Sequence, residues 1–525
     1  MNAENNELPK GWTNARLLDI APPGGTRNPQ ANGESQFFYV DIDAVDNTTQ
    51  KIVVPKRLPA AKAPSRARMA IQADDVIFSL VRPYLKNIAV VPRELDGQVA
   101  STAYCVMRPA LGVVSSFVFY ALLRESFINS VITYGNSPPS AHDDEFLAMS
   151  IPLAPTNEQH RIVATIEEQF TRLDAGVVAL RRAQTKLKRY RATVLKAAVE
   201  GKLTGAWRAE HPETEPASIL LERILKEHRV NWEADLKAKG KDPAKVKYIE
   251  PAKPDTENLP ELPERWCWAT VEQVGDVQLG RQRAPQHHTG PYMRPYLRVA
   301  NVFEDRIDTS DILTMNFTPE EYEIYCLKFG DILLNEGQSL ELIGRPAMYR
   351  DEVPGACFQN TLVRFRAYPS LIANYALILF RAYLRSQRFQ RIGKHTTNIA
   401  HLGAGRFAVL EFPLPPAFEQ EQIVAEVEQR LSVVTQLEAI VQANLKRAER
   451  LRQSILKEAF AGRLVPQDPD DEPASVLLER IRKERDRRKK ETASNGRYVH
   501  VPDEPVQKIH VEETQQAGLW ESVGG

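Results

Sequence analysis

Cysteine is scarce in this chain: four in 525 residues, Cys105, Cys267, Cys326 and Cys357, with no CxxC pair and no Cys/His cluster. That pattern excludes a disulfide scaffold and a cysteine-built zinc site, and it fits a reducing cytosol. No apolar run approaches the roughly 18 residues of a membrane span. The opening MNAENNELPK has no basic stretch followed by an apolar one, so no secretory signal is expected. The expectation is a soluble, cytoplasmic protein with no membrane partner. A charge excess is also absent, since 68 Lys+Arg balance 68 Asp+Glu. No global field draws the chain to a polyanion, and any such contact must be local.

Catalytic signatures are missing too. There is no GxxxxGK[ST] phosphate loop, and Gly403-Ala404-Gly405 lacks the third glycine of a dinucleotide turn. The Pro-Asp steps at Asp255, Asp470 and Asp503 are not followed by an acidic-x-Lys that would complete a metal-dependent nuclease. Asn136-Ser137-Pro138-Pro139 departs from the Asn-Pro-Pro-aromatic motif of amino-methyltransferases, because Ser137 interrupts it and Ser140 replaces the aromatic stacker. A turn is the simpler reading. His287-His288, and His395 with His401, lack partners at metal-ligand spacing. No catalytic residue, metal or cofactor is expected on this chain.

What the sequence does contain is a duplication. Residues 151–203 begin IPLAPTNEQHRIVATIEEQF and end VLKAAVEGKL; residues 412–464 begin FPLPPAFEQEQIVAEVEQRL and end ILKEAFAGRL, in register without a gap. LPKGW at Leu8 returns as LPERW at Leu262, and EPASILLERI at Glu215 as EPASVLLERI at Glu472. A repeat this long is a tandem copy of domain plus helix, not a solenoid.

At about 150 residues per domain the length allows three to four domains. Each copy opens with an α+β segment, residues 1–150 and 262–411. Strands are expected at FFYVDI, DVIFSL and TAYCVM in the first and at YLRVANV, DILL and TLVRFR in the second. Helices are expected at SFVFYALLRESFINSVI and IANYALILFRAYLRSQRFQRI. These two segments share an order of elements but diverge far more than the repeated tails do.

The tails, residues 151–203 and 412–464, are expected as long helices. Ile166, Leu173, Leu180, Leu187 and Val194 recur every seventh residue, as do Val427, Val434, Val441, Ala448 and Ile455. That is a heptad seam, and about 44 residues of helix would run roughly 66 Å, too long for one small domain to cover. Pairing of the two helices is therefore favoured over two separate amphipathic helices. Thr156 with Gln159 suggests a capping box at the first start, and Gly201 and Gly462 suit left-handed stops. Residues 204–261 read as a short helix and linker. Residues 465–525 read as a short basic helix and tail, where the Arg480 to Lys490 run is more simply a solvated face than a nucleic-acid contact.

Two unlike α+β domains, each followed by a near-identical long helix, resemble the DNA specificity subunit of Type I restriction-modification enzymes. The local marks are the helix entries PLAPTNEQ (from Pro152) and PLPPAFEQ (from Pro413), the strand Gly330-Asp331-Ile332-Leu333, and its counterpart Asp75-Val76-Ile77 with Asp74 in place of the glycine. The helix exits EGKL and AGRL complete them. The resemblance implies two target recognition domains, mixed and mostly antiparallel β with helices. They would be separated by two long helices paired as an antiparallel coiled coil in a pseudo-twofold tandem repeat.

Each domain would read half of a bipartite, asymmetric site on double-stranded DNA. Two modification (methyltransferase) subunits would dock on the repeated helices, joined in restricting assemblies by two restriction (translocase/nuclease) subunits. S-adenosylmethionine, ATP and Mg would reside on those partners, leaving this chain non-catalytic. Base reading needs Arg, Asn or Gln in loops, with Lys, Ser and Thr on phosphates. The candidates are Arg82, Lys86, Asn136, Ser137 and His142 in the first domain, and Arg281, Arg283, Arg345, His395, Thr396 and Asn398 in the second. A self-contained methyltransferase or nuclease with degenerate motifs, a specificity factor of another defence system, and a coiled-coil scaffold unconnected with DNA stay open at this level.

Overall fold

In each repeat the first strand turns back to meet the strand that precedes the long helix. In the computed structural model, which describes residues 8–31, 35–135, 137–395 and 399–494, Thr13–Arg16 pairs antiparallel with Ser150–Leu153, with Thr13 opposite Leu153. In the second repeat Cys267–Thr270 pairs the same way with Glu411–Leu414, with Cys267 opposite Leu414. This closure delivers the chain from domain to helix at a fixed point.

The molecule divides into two compact units, each mixed α+β. One comprises Met1–Ala175 with Arg447–Gly525, the other Gly176–Lys446. The first holds a three-stranded sheet in the order Tyr104–Met107, Val76–Ser79, Ile88–Val90, beside a four-stranded one in the order Lys56–Pro59, Gln36–Val40, Val99–Ser101, Ala67–Ala70. The second holds a four-stranded sheet of Gly275–Leu279, Leu362–Ala367, Ile332–Asn335 and Pro346–Met348, and a three-stranded sheet centred on Met293–Leu297. Most pairings are antiparallel; Tyr39 with Val99 and Tyr296 with Cys357 are parallel exceptions.

Two sequence expectations need correction. Each helical stretch of the domains is broken in two, as Ser115–Leu122 with Glu125–Ser130 and as Ala373–Arg385 with Arg388–Ile392. The second break falls at Gln387, held at φ +60°, which an unbroken helix does not tolerate. The residues Val299–Asn301 form a 3-10 turn, not the end of a strand.

The Gly-Asp strand mark has a structural reason. Gly330 sits at φ +89° and Asp74 at φ +67°, a left-handed position that glycine fills freely and aspartate better than most. The following carboxylates are buried and act alike. Asp75 accepts the Gln72 N–H and pairs with Arg108, both at 2.8 Å. Asp331 accepts the Lys328 N–H at 2.8 Å and pairs with Arg366 at 2.6 Å.

The repeated tails form helices of 44 residues each, Thr156–Val199 and Ala417–Phe460. Each unit contains the beginning of one and the end of the other, so the pairing inside each unit is antiparallel. In the first unit Asp174 pairs with Arg452, whose guanidinium lies 4.8 Å from the centre of the Phe170 ring. In the second, Arg191 donates to Glu438 at 2.9 Å and to Thr435 at 3.1 Å. Of the heptad residues, Ile166, Val194, Val427, Val434, Val441 and Ala448 are buried, while Leu173, Leu180, Leu187 and Ile455 are half-buried. Half-buried polar residues stand four positions after Leu180, Leu187, Val434 and Ala448, at Gln184, Arg191, Glu438 and Arg452. Such residues weaken a seam but fix its register.

Helix starts and stops are tied to the domains. The capping box is not formed. Thr156 is already helical and donates to the Gly112 carbonyl, while Gln159 bonds the Ala154 carbonyl and the Val114 N–H. Gly201 and Gly462 do adopt the left-handed stop, at φ +65° and +67°. The third residue of each long helix is a buried carboxylate that takes an indole N–H: Glu158 from Trp12 at 2.9 Å and Glu419 from Trp266 at 2.8 Å. Their surroundings differ. Glu419 also accepts from Thr204 and Arg208, whereas Glu158 Oε1 has no partner among the described residues. Burial therefore pushes the Glu158 carboxyl above its ordinary value, against the Trp12 bond.

The basic helix Ala474–Ser494 packs Leu477, Leu478 and Ile481 into the core of the first unit. There Arg485 bonds the buried Asp19 at 2.9 Å and Arg482 lies 3.7 Å from it, so part of the basic run serves docking. No helix among the described residues is long and apolar enough to cross a membrane.

Val434→Asp is expected to destabilise the protein by at least about 2 kcal/mol, because it buries an unpaired carboxylate. Val433→Asp, one residue away and exposed, should stay within about 0.5 kcal/mol; chemical denaturation of both variants checks this. For the carboxylates, a group whose value is raised on folding stabilises fully below its ordinary value, and that contribution is lost as pH rises through the raised one. Glu158→Gln should thus leave stability unchanged or higher at pH 8 and flatten its fall from pH 5 to 8. Glu419→Gln should cost about 1–3 kcal/mol at pH 8 by stranding Arg208. Melting temperatures at the two pH values distinguish the pair.

Candidate nucleic-acid interface

Loops carry the candidate side chains, and backbone hydrogen bonds bring pairs of loops together. In the first unit the strand Val76–Ser79 runs into a tight turn, Pro83–Leu85, flanked by Arg82 at φ +51° and Lys86 at φ +55°. Its neighbour is the loop through Ser137. Arg82 N–H donates to the Pro139 carbonyl at 2.9 Å, Ala141 N–H to Leu80 at 2.9 Å, and Tyr134 and Ser140 exchange both backbone bonds at 2.8 and 2.9 Å. A small ribbon results, exposing Arg82, Tyr84, Leu85, Ser137 and His142, with Lys86 half-exposed. His142 rests its ring 4.7 Å from that of Tyr134, whose hydroxyl donates to Glu145 at 2.9 Å. That bond to a carboxylate raises the Tyr134 phenol above its ordinary value. Arg82 and Lys86 have no acidic partner among the described residues, so their charge is available to a polyanion. Asn136 lies outside the described residues.

The second unit builds the same ribbon from different side chains. Gly337–Gln338 pairs with Ala400–His401, which pairs with Lys394–His395. Leu402 N–H donates to the Glu336 carbonyl at 2.8 Å, the counterpart of the Ala141–Leu80 bond. His395 is in this ribbon by its backbone, while Thr396 and Asn398 lie outside the described residues. Arg345 closes the turn that follows Gln338. It is half-buried, 4.8 Å from the centre of the Phe303 ring, with Nε unpartnered among the described residues and its guanidinium value lowered by burial.

Two candidates fall elsewhere. Arg281 is 7% exposed and donates to Glu321 at 2.8 Å and to the Asn316 carbonyl at 2.6 Å, over the Phe317 ring. It is a clamp inside the domain and not the loop residue expected from sequence. The preceding Gly280 lies so close to Gln359 that the chain turns inward there. Arg283 is exposed and donates to His288 at 3.1 Å, apart from the ribbon.

Residues not singled out from sequence also belong to the ribbons. Tyr84 is 59% exposed at the tip of the first turn. An aromatic between Arg82 and Lys86 in RPYLK was the available signal. Gln338 and Glu336 had none, because only the pairing of Gln338 with Ala400 and the bond from Leu402 N–H to the Glu336 carbonyl put them there.

The geometry is that of two surfaces for recognition, with hydrogen-bonding, cationic and aromatic side chains held on short rigid ribbons. No protein-family model matches the sequence. The chain is 23% identical over 503 residues to the specificity subunit of the Type I restriction enzyme EcoKI of Escherichia coli K12, covering 91% of this chain and 96% of that one. It is 24% identical over 510 residues to the StySPI specificity subunit of Salmonella potsdam, with the same coverages. Among solved structures, a chain from a study of complex assembly and conformational transition in the type I R-M system superposes with a TM-score of 0.65 at 26% identity, over 87% of this chain and all of that one. The HsdS subunit of Thermoanaerobacter tengcongensis gives 0.50 at 26% identity over 88% and 100%. The curated relatives that match along nearly the whole length of the chain are thus specificity subunits of Type I restriction enzymes, and the likeness in fold runs over the same span.

Proposed function

We propose that the chain is the sequence-reading, non-catalytic subunit of a Type I restriction-modification complex, and that each unit recognises one half of a bipartite asymmetric target on duplex DNA. The observation that carries this is the pair of ribbons. One backbone arrangement occurs in both units, carrying Arg82, Tyr84 and Ser137 in one and Gln338, Glu336 and His401 in the other. Equal scaffolds with unlike side chains suit two unlike half-sites, since base edges are told apart by donor and acceptor pattern.

In this reading the repeated helices set the spacing between half-sites, as rigid linkage does in other two-site DNA readers. They also dock two modification subunits. The second helix favours this, because Val433, Leu437 and Ile440 are exposed along one stripe where the first repeat has Arg172, Gly176 and Ala179. Adenine methylation with S-adenosylmethionine, and ATP- and Mg-dependent restriction where two restriction subunits join, take place on those partners in the cytoplasm. With no net charge, this chain shares the grip on phosphates with them and binds DNA weakly when alone.

Replacing residues 8–149 with the matching segment of a relative should change one half of the methylated sequence and leave the other and the spacing intact; methylation mapping reads the outcome, and alteration of both halves counts against the division of labour. Leu437→Glu should leave the melting temperature within about 2 °C and weaken modification-subunit binding at least tenfold, measured by calorimetric titration.

A further inference from the structure

Beside the ribbon of the second unit stand two paired side chains, Glu336 and His401. Glu336 Oε2 lies 3.0 Å from His401 Nδ1. The histidine side chain is 42% exposed and the glutamate 15%. The geometry of this part-buried pair is fixed from several sides. The backbones of residues 337 and 401 are paired, and Leu402 N–H bonds the Glu336 carbonyl. Arg406 donates to the His401 carbonyl at 2.7 Å and, with its Nε, to the Ile392 carbonyl at 2.7 Å. The ring lies against Gly337, where a Cβ would stand 3.5 Å from Cε1 and 3.6 Å from Nδ1.

A carboxylate only accepts, so it holds the proton on Nδ1 and sets the ring orientation. Nε2 then has no partner among the described residues and is an acceptor in the neutral ring. The first unit has nothing equivalent, since Leu80 and Ser140 occupy the corresponding places.

We propose that His401 is a specificity-determining residue of the second half-site, with Nε2 accepting from the exocyclic amino group of an adenine or cytosine in the major groove, and that Glu336 is its positioning residue. The assignment rests on the DNA-reading function argued above. Phosphate contact is the competing use of a histidine at a DNA surface, and it predicts a different result.

The test uses the full chain assembled with its modification subunits, and selection from a randomised duplex DNA library. Wild type is expected to select a bipartite target. His401→Ala should lose about 5- to 100-fold discrimination at one base pair of the second half-site and keep the first half-site, which also certifies the fold. Glu336→Ala should relax the same base pair by a smaller factor, while Glu336→Gln, whose amide oxygen still accepts from Nδ1, should restore most of it. Even weakening across all sequences with a reduced salt dependence would mean a phosphate contact and overturn the proposal, as would unchanged selection by His401→Ala. A wild-type complex that selects no bipartite target would overturn the underlying function as well, and is recognised before any variant is compared.

Discussion

Each globular core of this protein is completed by the end of a helix that belongs to the other repeat. In the first unit, Leu456, Ala459 and Phe460 at the close of the second long helix join Trp12, Phe117 and Ile166 in one buried cluster. In the second, Val194, Leu195 and Ala198 at the close of the first long helix join Trp266, Phe412 and Val427. Burying a single Leu, Ile, Val or Phe is worth about 1.5–3 kcal/mol. Neither domain can therefore be cut free of the duplication without losing part of its core. The antiparallel course of the helices follows from this exchange, because a helix that starts in one core must finish in the other.

Around that exchange the duplication repeats small polar devices. An indole N–H meets a buried glutamate at each helix entry, a buried aspartate meets an arginine beside each Gly-Asp strand, and a left-handed glycine ends each helix. They are not perfect copies. Arg208 compensates Glu419 but nothing comparable among the described residues compensates Glu158, so the same carboxylate is a stabilising anchor in one repeat and, in the other, a group whose value burial raises.

The two ribbons keep one backbone with unlike side chains. Their backbone pairing is the same in both units, and the side chains they hold are unrelated. Short strands between fixed sheets keep a contact surface in place while leaving its chemistry free. That combination is what a subunit needs if it is to recognise different sequences at a constant spacing.

The duplication, the two long helices, their glycine stops and the resemblance to a family of specificity subunits were all legible in the sequence. Each is a local or periodic property: a heptad, a repeated string, a residue able to take a positive φ. Domain strands such as Val76–Ser79 and Leu362–Ala367 were legible for the same reason, as apolar runs bounded by turns. The tertiary structure decided what depends on distant partners. It alone showed that Arg281 is spent on Glu321, that Thr156 serves Gly112 and not a capping box, and that Arg191 meets Glu438 between the long helices. It alone joined Glu336 to His401 and Arg82 to Pro139. A side chain's exposure and partners are set by segments tens to hundreds of residues away, and the local pattern carries no record of them.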